Sequence, residues 1–307
     1  MGSHIVSNRD LIVEGAALAE VVFVGLSTMD IVYAVDEFPN ANSKVAALSQ
    51  ELYVGGPATN AAITFAHLGG RSTLVTAVGR HSLAGAIKAE IEQRSVTLID
   101  LNPNFSEPPV LSSIYVNRLG QRNIVSANAI RVNVPVVRVD EAALERGALV
   151  LVDGHYMQAC QEWARAARSL GIQVVLDGGS WKEGTDELLG FVDTAICSND
   201  FRPPGCANED EVIGYLRGRG VANIAITKGA DPIRFQSDAG SGNVRVPSIE
   251  PVDTMGAGDI FHGAFCYFSS NGTGFAEALA EAAKIAAESC RFKGTREWMR
   301  HCAGSTL

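Results

Sequence analysis

The segment with the clearest chemical potential is residues 252–261, which read V-D-T-M-G-A-G-D-I-F. Apolar residues recur at helical spacing after it, so Gly256, Ala257 and Gly258 are predicted to open a helix. Small residues there let backbone N–H groups approach an anion, with the positive end of the helix dipole behind them. Asp259 would repel a phosphate, but it is suited to remove a proton from a hydroxyl that attacks phosphorus. The alternative is an N-capping aspartate after a flexible turn.

A second glycine segment, residues 55–62, reads G-G-P-A-T-N-A-A. Gly55 and Gly56 would bring the backbone close to a polyol, and Asn60 offers both a donor and an acceptor to its hydroxyl groups. An ordinary helix start, with Gly56 as the cap and Pro57 in the first turn, needs no ligand at all. Taken alone, this segment leaves both interpretations open.

The two segments lie in a chain whose short aliphatic runs alternate with helical patterns. This alternation is typical of a mainly parallel sheet with helices on both faces. The runs that predict buried strands are residues 20–25, 72–78, 148–153, 172–177, 194–198 and 223–228. The predicted helices are residues 58–68, 84–93 and 158–170. Ligands of such sheets bind beyond the carboxyl ends of the strands, so the loops there are expected to carry the site.

Two stretches, residues 31–50 and 112–126, depart from this alternation. The first has no helical period, and the second has two strand-like runs around Leu119-Gly120-Gln121, which predicts a hairpin. The two stretches are able to pair as a small second sheet that closes over the main sheet as a lid. The alternative is an ordinary surface hairpin.

The composition excludes several classes of protein. Among 307 residues, 25 Lys and Arg face 34 Asp and Glu, for a net charge of −9, and no basic run offers a nucleic-acid surface. No apolar run of about 20 residues predicts a membrane span. Six cysteines without C-x-x-C pairs argue against a zinc site and a disulfide scaffold, and favour a reducing compartment, the cytoplasm. Residues 1–4 resemble the remnant of an expression tag.

Together, the two glycine segments resemble the signatures of the ribokinase-like (PfkB) carbohydrate kinase family, over about residues 20–300. The resemblance implies a ribokinase-like α/β fold of Rossmann type with a small β-sheet lid, at residues 20–307, after an extension at residues 1–19. It also implies transfer of the γ-phosphoryl group of ATP, with Mg²⁺, to a hydroxyl of a ketose or pentose. Residues 112–114 and 120–122 look similar to ketohexokinase, and residues 261–264 look similar to bacterial ketose kinases.

The resemblance also implies roles for single residues. Asp259 falls on the family's catalytic base, and the family's anion hole falls on Gly256, Ala257 and Gly258. The residues that fall on the sugar site are Asp30, Gly55, Gly56 and Asn60. The residues that fall on the nucleotide side are Asn199, Thr227 and Gly229. Asp253 falls on a position that holds a potassium ion in several relatives, and its alternative is a turn-forming aspartate.

Other functions suit the same motifs. A nucleoside kinase would hold a ribose with Asp30 and Asn60, so the partner is a small sugar or a nucleoside. A non-catalytic sugar or nucleotide sensor is a third alternative. The presence of Asp259 argues against it, because a sensor needs no base. Arg202 stands where relatives carry a glutamate near Mg-ATP, which is a departure from the family pattern. A homodimer formed through the lid is also expected.

Overall fold

The computed structural model describes residues 19–127, 129, 132, 134 and 137–301. The extension predicted at residues 1–19 lies outside these residues, except for Ala19. The strands are β1 (Glu20–Val24), β2 (Thr28–Ala34), β3 (Ser49–Gly55), β4 (Arg71–Thr76), β5 (Val96–Asp100), β6 (Leu111–Val116), β7 (Arg122–Ser126), β8 (Leu149–Val152), β9 (Gln173–Gly178), β10 (Thr194–Ser198), β11 (Asn223–Lys228), β12 (Asp231–Ser237) and β13 (Gly240–Val244). The helices are α1 (Pro57–His67), α2 (Ser82–Gln93), α3 (Glu141–Arg146), α4 (Met157–Ser169), α5 (Thr185–Leu189), α6 (Glu209–Gly218), α7 (Ala257–Ser270), α8 (Phe275–Ser289) and α9 (Trp298–His301). Within the described ranges, no helix has the length and apolar character needed to cross a membrane.

The main sheet has the order β13-β12-β11-β10-β9-β8-β1-β4-β5 in the described residues. The strands from β5 to β11 pair in parallel, and β12 and β13 add an antiparallel edge. Every aliphatic run that predicted a strand is one, with ends that differ by at most two residues. The prediction of a mainly parallel α/β sheet is confirmed. The edge strands were not predicted because they lack the long aliphatic runs of the buried strands.

The centre of the main sheet is buried on both faces because helices cover both. In β1, Val21 and Phe23 belong to one apolar core, while Val22 and Val24 belong to the other. The first core includes side chains from α1, α2, α7, α8 and α9, and the second includes side chains from α3, α4, α5 and α6. The continuous aliphatic pattern of β1, without alternation, follows from this double burial.

Helices α1 and α7 carry the two glycine segments and pack against each other. Pro57 occupies the first turn of α1, a position that lacks an intrahelical N–H partner in any case. Ile260 and Phe265 of α7 are fully buried, which contributes about 1.5–3 kcal/mol for each side chain. The packing of these apolar faces brings the starts of the two helices together.

The small sheet has the order β3-β2-β6-β7. Strand β2 pairs antiparallel with β3 and parallel with β6, and β6 forms the predicted hairpin with β7. The two stretches that broke the helix–strand alternation therefore pair with each other, as predicted. Asp30 lies within β2, opposite Tyr53 of β3 and Ser112 of β6, and not in a loop after β1. The small sheet thus carries one of the predicted site residues.

Candidate functional site

A polar cluster lies where α1, α7 and the small sheet meet the carboxyl ends of the central strands. Its centre is a hydrogen bond between the two glycine segments: Asn60 Nδ2 donates to Asp259 Oδ2 over 2.7 Å. Asn60 is almost fully buried, whereas Asp259 keeps part of its surface open to the cleft. Two residues 199 positions apart in the chain are therefore in direct contact.

The carboxyl group of Asp259 lies in surroundings that disfavour its charge. Burial, and to a lesser extent the nearby negative charge of Asp177, raise the pKa of Asp259 to about 7. The hydrogen bond from Asn60 and the charge of His262 act in the opposite direction. A carboxyl group that exchanges its proton near neutral pH has the acid–base character that a general base needs.

The turn before α7 is open toward the cleft. Gly256 has a φ of 68°, and a Cβ atom there would lie 2.6 Å from Thr295 Cγ2, so only glycine fits this position. At Gly258, in contrast, a Cβ atom would meet no atom within 4 Å. The first N–H groups of a helix lack intrahelical partners, and here they border open space. The turn of Gly256, Ala257 and Gly258 is therefore suited to hold an anion.

The residues predicted for the sugar side lie next to one another. The nearby Thr28 and Ser112 side chains act to lower the pKa of Asp30, but burial has the larger effect and raises it. A Cβ atom at Gly55 would lie 2.1 Å from Asp30 Oδ2, so this close approach requires glycine. Gly56 caps α1, the helix that carries Asn60. The predicted sugar residues thus come from different elements, with Asp30 in β2 and Asn60 in α1.

A cavity of about 360 Å³ borders the first turn of α7. Thr227 and Gly229, which were predicted for the nucleotide side, line it together with Ala257 and Gly258. Most of the remaining wall is apolar and comes from residues 246–251 and from α8. A cavity of this size with few polar groups is typical of sites for small molecules.

Asn199 lies next to Thr227 of the cavity wall, and its polar groups already form hydrogen bonds within the protein. Its N–H donates to the Thr227 carbonyl over 2.9 Å, and its Oδ1 accepts a hydrogen bond from Arg202 Nη2 over 3.2 Å. Within the described part of the chain, no group of three or more His, Cys, Asp or Glu side chains is arranged to hold a metal ion. The protein itself therefore provides no carboxylate cage for Mg²⁺ here.

Asp253 has a set of partners that does not suit a cation ligand. Its Oδ1 accepts from the Met255 N–H and its Oδ2 accepts from the Gly294 N–H, each over 2.9 Å. Arg122 Nη2 lies 3.4 Å from the same Oδ1 and also contacts the Thr254 hydroxyl. A guanidinium thus already balances this carboxylate, so the side chain of Asp253 does not fit the predicted potassium site. Arg122 belongs to β7, so the contact also ties the small sheet to the glycine turn.

One residue of the cluster, Arg296, was missed by the sequence analysis. Its guanidinium is almost fully buried, forms an ion pair with Glu90 of α2 over 2.8 Å, and donates to Asn60 Oδ1 over 2.9 Å. It also donates to the Val54 carbonyl over 2.9 Å. In the sequence, Arg296 follows Gly294-Thr295 in a polar stretch and gives no signal that separates it from a surface arginine.

Asp153, at the end of β8, was also missed. Its carboxylate is buried, and it accepts hydrogen bonds from the Leu26 N–H over 2.8 Å, the His155 N–H over 2.9 Å and the Ala58 N–H over 3.3 Å. A Cβ atom at Gly25 would lie about 2.1 Å from this carboxyl group. Asp153 therefore joins the end of β1 to the start of α1. The signal that was available is its position directly after a buried aliphatic run.

Asp177 and His262 form a buried pair below the glycine turn. His262 Nδ1 lies 3.5 Å from Asp177 Oδ2 and 2.7 Å from the Gly258 carbonyl oxygen. Burial raises the pKa of Asp177, and the charge of His262 counteracts part of this effect. The pair places a titratable charge under the first turn of α7.

The comparisons with known proteins agree with this geometry. The model of the "pfkB family carbohydrate kinase" matches residues 18–302. The chain is 23% identical over 284 residues to a ribokinase of Haemophilus influenzae, which covers 89% of this chain and 92% of that protein. It is also 23% identical over 295 residues to a ketohexokinase of Mus musculus, which covers 90% of this chain and 97% of that protein.

Solved structures show the same fold. A ribokinase of Thermotoga maritima superimposes with a TM-score of 0.78 at 24% identity, over 93% of this chain and 99% of that one. A ribokinase of Arabidopsis thaliana in complex with ribose and ATP superimposes with a TM-score of 0.74 at 22% identity, over 91% and 94%. The ribokinase-like fold predicted from the sequence is thereby confirmed. The match of the family model over nearly the whole chain shows that this protein belongs to the pfkB family of carbohydrate kinases and is a phosphotransferase.

Proposed function

We propose that this protein transfers the γ-phosphoryl group of ATP to a hydroxyl of a small carbohydrate, a ketose or a pentose, with Asp259 as the general base. One observation carries the proposal: the start of α7 borders an apolar cavity of about 360 Å³ at Ala257 and Gly258, while Asp259 in the same turn contacts Asn60 of the predicted sugar segment. A donor and an acceptor bound on the two sides would meet at the Gly258 turn beside Asp259.

The cavity next to Thr227 and Gly229 is suited to the nucleotide. Its apolar walls favour a planar base, and its open end at Gly258 leads toward the helix start, which favours phosphate groups. The Arabidopsis thaliana ribokinase was solved with both ribose and ATP, which supports ATP as the donor. Mg²⁺ would accompany the phosphates and offset their charge, bound through phosphate oxygens and water.

The side chains of Asp30 and Asn60 are suited to bind a polyol. Asp30 offers a carboxylate that accepts hydrogen bonds from sugar hydroxyls, and Asn60 has a second N–H that its bond to Asp259 leaves unused. The ribokinase and ketohexokinase relatives point to pentoses and ketohexoses as the first substrates to test.

In the proposed reaction, Asp259 takes the proton of the attacking sugar hydroxyl while the oxygen of that hydroxyl forms a bond to the γ-phosphorus. The bond between the γ-phosphorus and the β,γ-bridging oxygen breaks, and ADP leaves with both electrons of that bond. The first N–H groups of α7 hold the charged equatorial oxygens during the transfer. Because the pKa of Asp259 is about 7, a large share of this base is ionised at neutral pH.

The sequence leaves two alternative functions. A nucleoside kinase would use the same Asp30 and Asn60 for a ribose, and a sensor would bind its ligand without turnover.

We also propose a homodimer formed through the small sheet and a cytoplasmic location. The free thiols of the described cysteines, Cys160, Cys197, Cys206, Cys266 and Cys290, support a reducing compartment.

The test is a coupled assay of ADP release with ATP and a panel of ketoses, pentoses and nucleosides. We expect turnover with at least one sugar, and a decrease in kcat of about 10²-fold or more in Asp259→Asn, the range typical for loss of a general base. Sugar affinity, measured by calorimetry, should stay similar. Asp238→Asn, an exposed aspartate on the β12–β13 turn, is the matched control. Near-wild-type turnover of Asp259→Asn would remove this residue from the mechanism, and sugar binding without any turnover would favour the sensor.

A further inference from the structure

Arg296 is the one buried arginine that contacts the catalytic cluster, among the residues that the structure describes. Its side chain is 10% exposed, and its donors reach three elements besides its own segment: α2 through Glu90, α1 through Asn60 and β3 through Val54. It also donates to the Thr295 carbonyl over 3.2 Å. Of these partners, only Asn60 is a residue proposed to bind the sugar, and Asn60 also contacts Asp259. Arg296 therefore acts on the cluster through Asn60.

The hydrogen-bonding chemistry of arginine determines the orientation of the Asn60 amide. A guanidinium has only donors, so the atom of Asn60 that faces it must be the carbonyl oxygen. The amide nitrogen is then directed to Asp259 and donates to Oδ2 over 2.7 Å. The flipped amide would place its N–H₂ group against the guanidinium and its oxygen against the carboxylate, and both contacts would be repulsive. With Arg296 present, only one of the two amide orientations is satisfied.

We propose that Arg296 is a positioning residue for the catalytic base: it locks the Asn60 amide so that its N–H₂ group always donates to Asp259. The inference rests on the proposed function, since it assumes that Asp259 is the base. The donor from Asn60 both aims the carboxylate and favours its ionised form, because a hydrogen bond to a charged oxygen stabilises the charge.

The groups around both residues set the expected direction of change. Asp259 is faced by Asp177 and Asp153, which oppose its charge, and by Asn60, His262 and Arg296, which favour it. Arg296 is faced by Glu90, Arg94, Asp259 and Asp30, and burial lowers its pKa. If the Asn60 amide loses its fixed orientation, the balance at Asp259 shifts further toward the protonated form. The base is then less available at and below neutral pH.

The first variant is Arg296→Lys, which keeps a positive charge beside Glu90 but cannot donate to both Asn60 and Val54 in the fork geometry of arginine. We expect the acid limb of the kcat–pH profile to move up by about one pH unit, so that kcat falls about tenfold near pH 6 and recovers to within about twofold near pH 9. The sugar KM should change by less than about threefold. Arg217→Lys is the matched control, because this arginine pairs with Asp238 away from the site.

A double-mutant cycle separates positioning from general loosening. Asn60→Ala alone should produce a similar shift of the acid limb, and Arg296→Lys added to it should change the profile little further, because both act on one contact. If Arg296→Lys does not fold, Arg296→Gln, which keeps one N–H₂ donor, takes its place in the same cycle.

Two results would overturn the inference: a loss of kcat by the same factor at every pH, or additive effects in the cycle. Asp259→Asn is measured in parallel, so that the two proposals fail in distinguishable ways. If Asp259→Asn is inactive and the acid limb of Arg296→Lys is unmoved, only the role of Arg296 is wrong. If Asp259→Asn keeps its turnover, the proposed base is wrong as well.

Discussion

At the scale of single residues, the site brings together several carboxyl groups whose negative charge is disfavoured by burial. Asp153, Asp177 and Asp259 converge on the same end of the sheet, and burial and mutual repulsion raise the pKa of Asp259 to about 7. A surface aspartate would ionise near its usual value of 3.8. The Asp259 carboxyl is therefore easily protonated, and its ionised form carries an energetic penalty in the folded protein.

This penalty predicts how Asp259→Asn affects stability at different pH values. Between the unfolded pKa of 3.8 and the folded pKa of about 7, the folded protein holds a proton that the unfolded chain has lost, so stability falls as pH rises. Asparagine carries no charge and escapes this loss. We expect the Tm of Asp259→Asn to exceed that of the wild type by about 2 °C or more near pH 8, and the difference to vanish near pH 4. A variant that is less stable than the wild type at both pH values would mean that the ionised carboxylate stabilises the fold.

At the scale of elements, the proposed reaction requires that a phosphoryl group reach Asp259 over the start of α7. The helix is held by a fully buried apolar face that includes Ile260 and Phe265, and this face points away from the open turn. The turn is therefore able to change without loss of the helix. Gly256 and Gly258 differ in this respect, since only Gly256 has a positive φ and a close neighbour.

Gly258→Val tests the anion-binding turn without a clash in the free protein. A Cβ atom at Gly258 meets no atom within 4 Å, so the side chain would project into the space that a phosphoryl group would occupy. We expect kcat to fall by about 10²-fold or more, comparable to the loss of one oxyanion-type donor, with little change in Tm or in sugar affinity. Gly214→Val, in α6 and also with no atom within 4 Å, is the matched control. Persistent turnover of Gly258→Val would show that phosphate does not pass over this turn, and a parallel loss of sugar affinity would make the turn a structural element only.

At the scale of the whole molecule, the small sheet has two faces with different characters. Asp30 and Arg122 project from the face that turns toward the site, where Arg122 contacts Asp253. The opposite face carries a row across the four strands that consists of Leu52, Ile31, Ser113 and Val125. Leu52 is 63% exposed and Val125 is 68% exposed. An exposed apolar patch on a regular sheet is typical of a protein interface.

This patch predicts that the small sheets of two chains pack together in a homodimer. Placing a charge on the patch should disrupt the interface, because an unpaired carboxylate would be buried there. We expect the wild type to sediment as a dimer and the double variant Leu52→Asp/Val125→Asp to sediment as a monomer at the same concentration. Leu170→Asp, which changes an exposed leucine after α4, should remain a dimer. A wild type that stays monomeric at every concentration tested would contradict the prediction.

The sequence by itself determined the class of fold and the two segments that carry the chemistry. Aliphatic runs specified six strands of the main sheet, because a strand buried on both faces must be apolar at every position. The glycine segments specified the starts of α1 and α7, because capping and close backbone approach are local requirements. Residues 31–50 were recognised by the absence of a helical period, and residues 112–126 by two strand-like runs around a turn. All of these signals are contained within short stretches of chain.

Only the tertiary structure decided which side chains meet. Asn60 and Asp259 are 199 positions apart, and Arg296 is 236 positions from Asn60, so their contacts depend on how α1, α7 and the segment after α8 dock. Arg296 reads in the sequence as an ordinary charged residue, and its burial follows from partners that three other elements provide. The partners of Asp253 likewise became visible only when β7 was placed against the glycine turn. Local periodicity predicts elements, whereas the pairing of buried polar groups is a property of packing, and packing is decided by the whole chain.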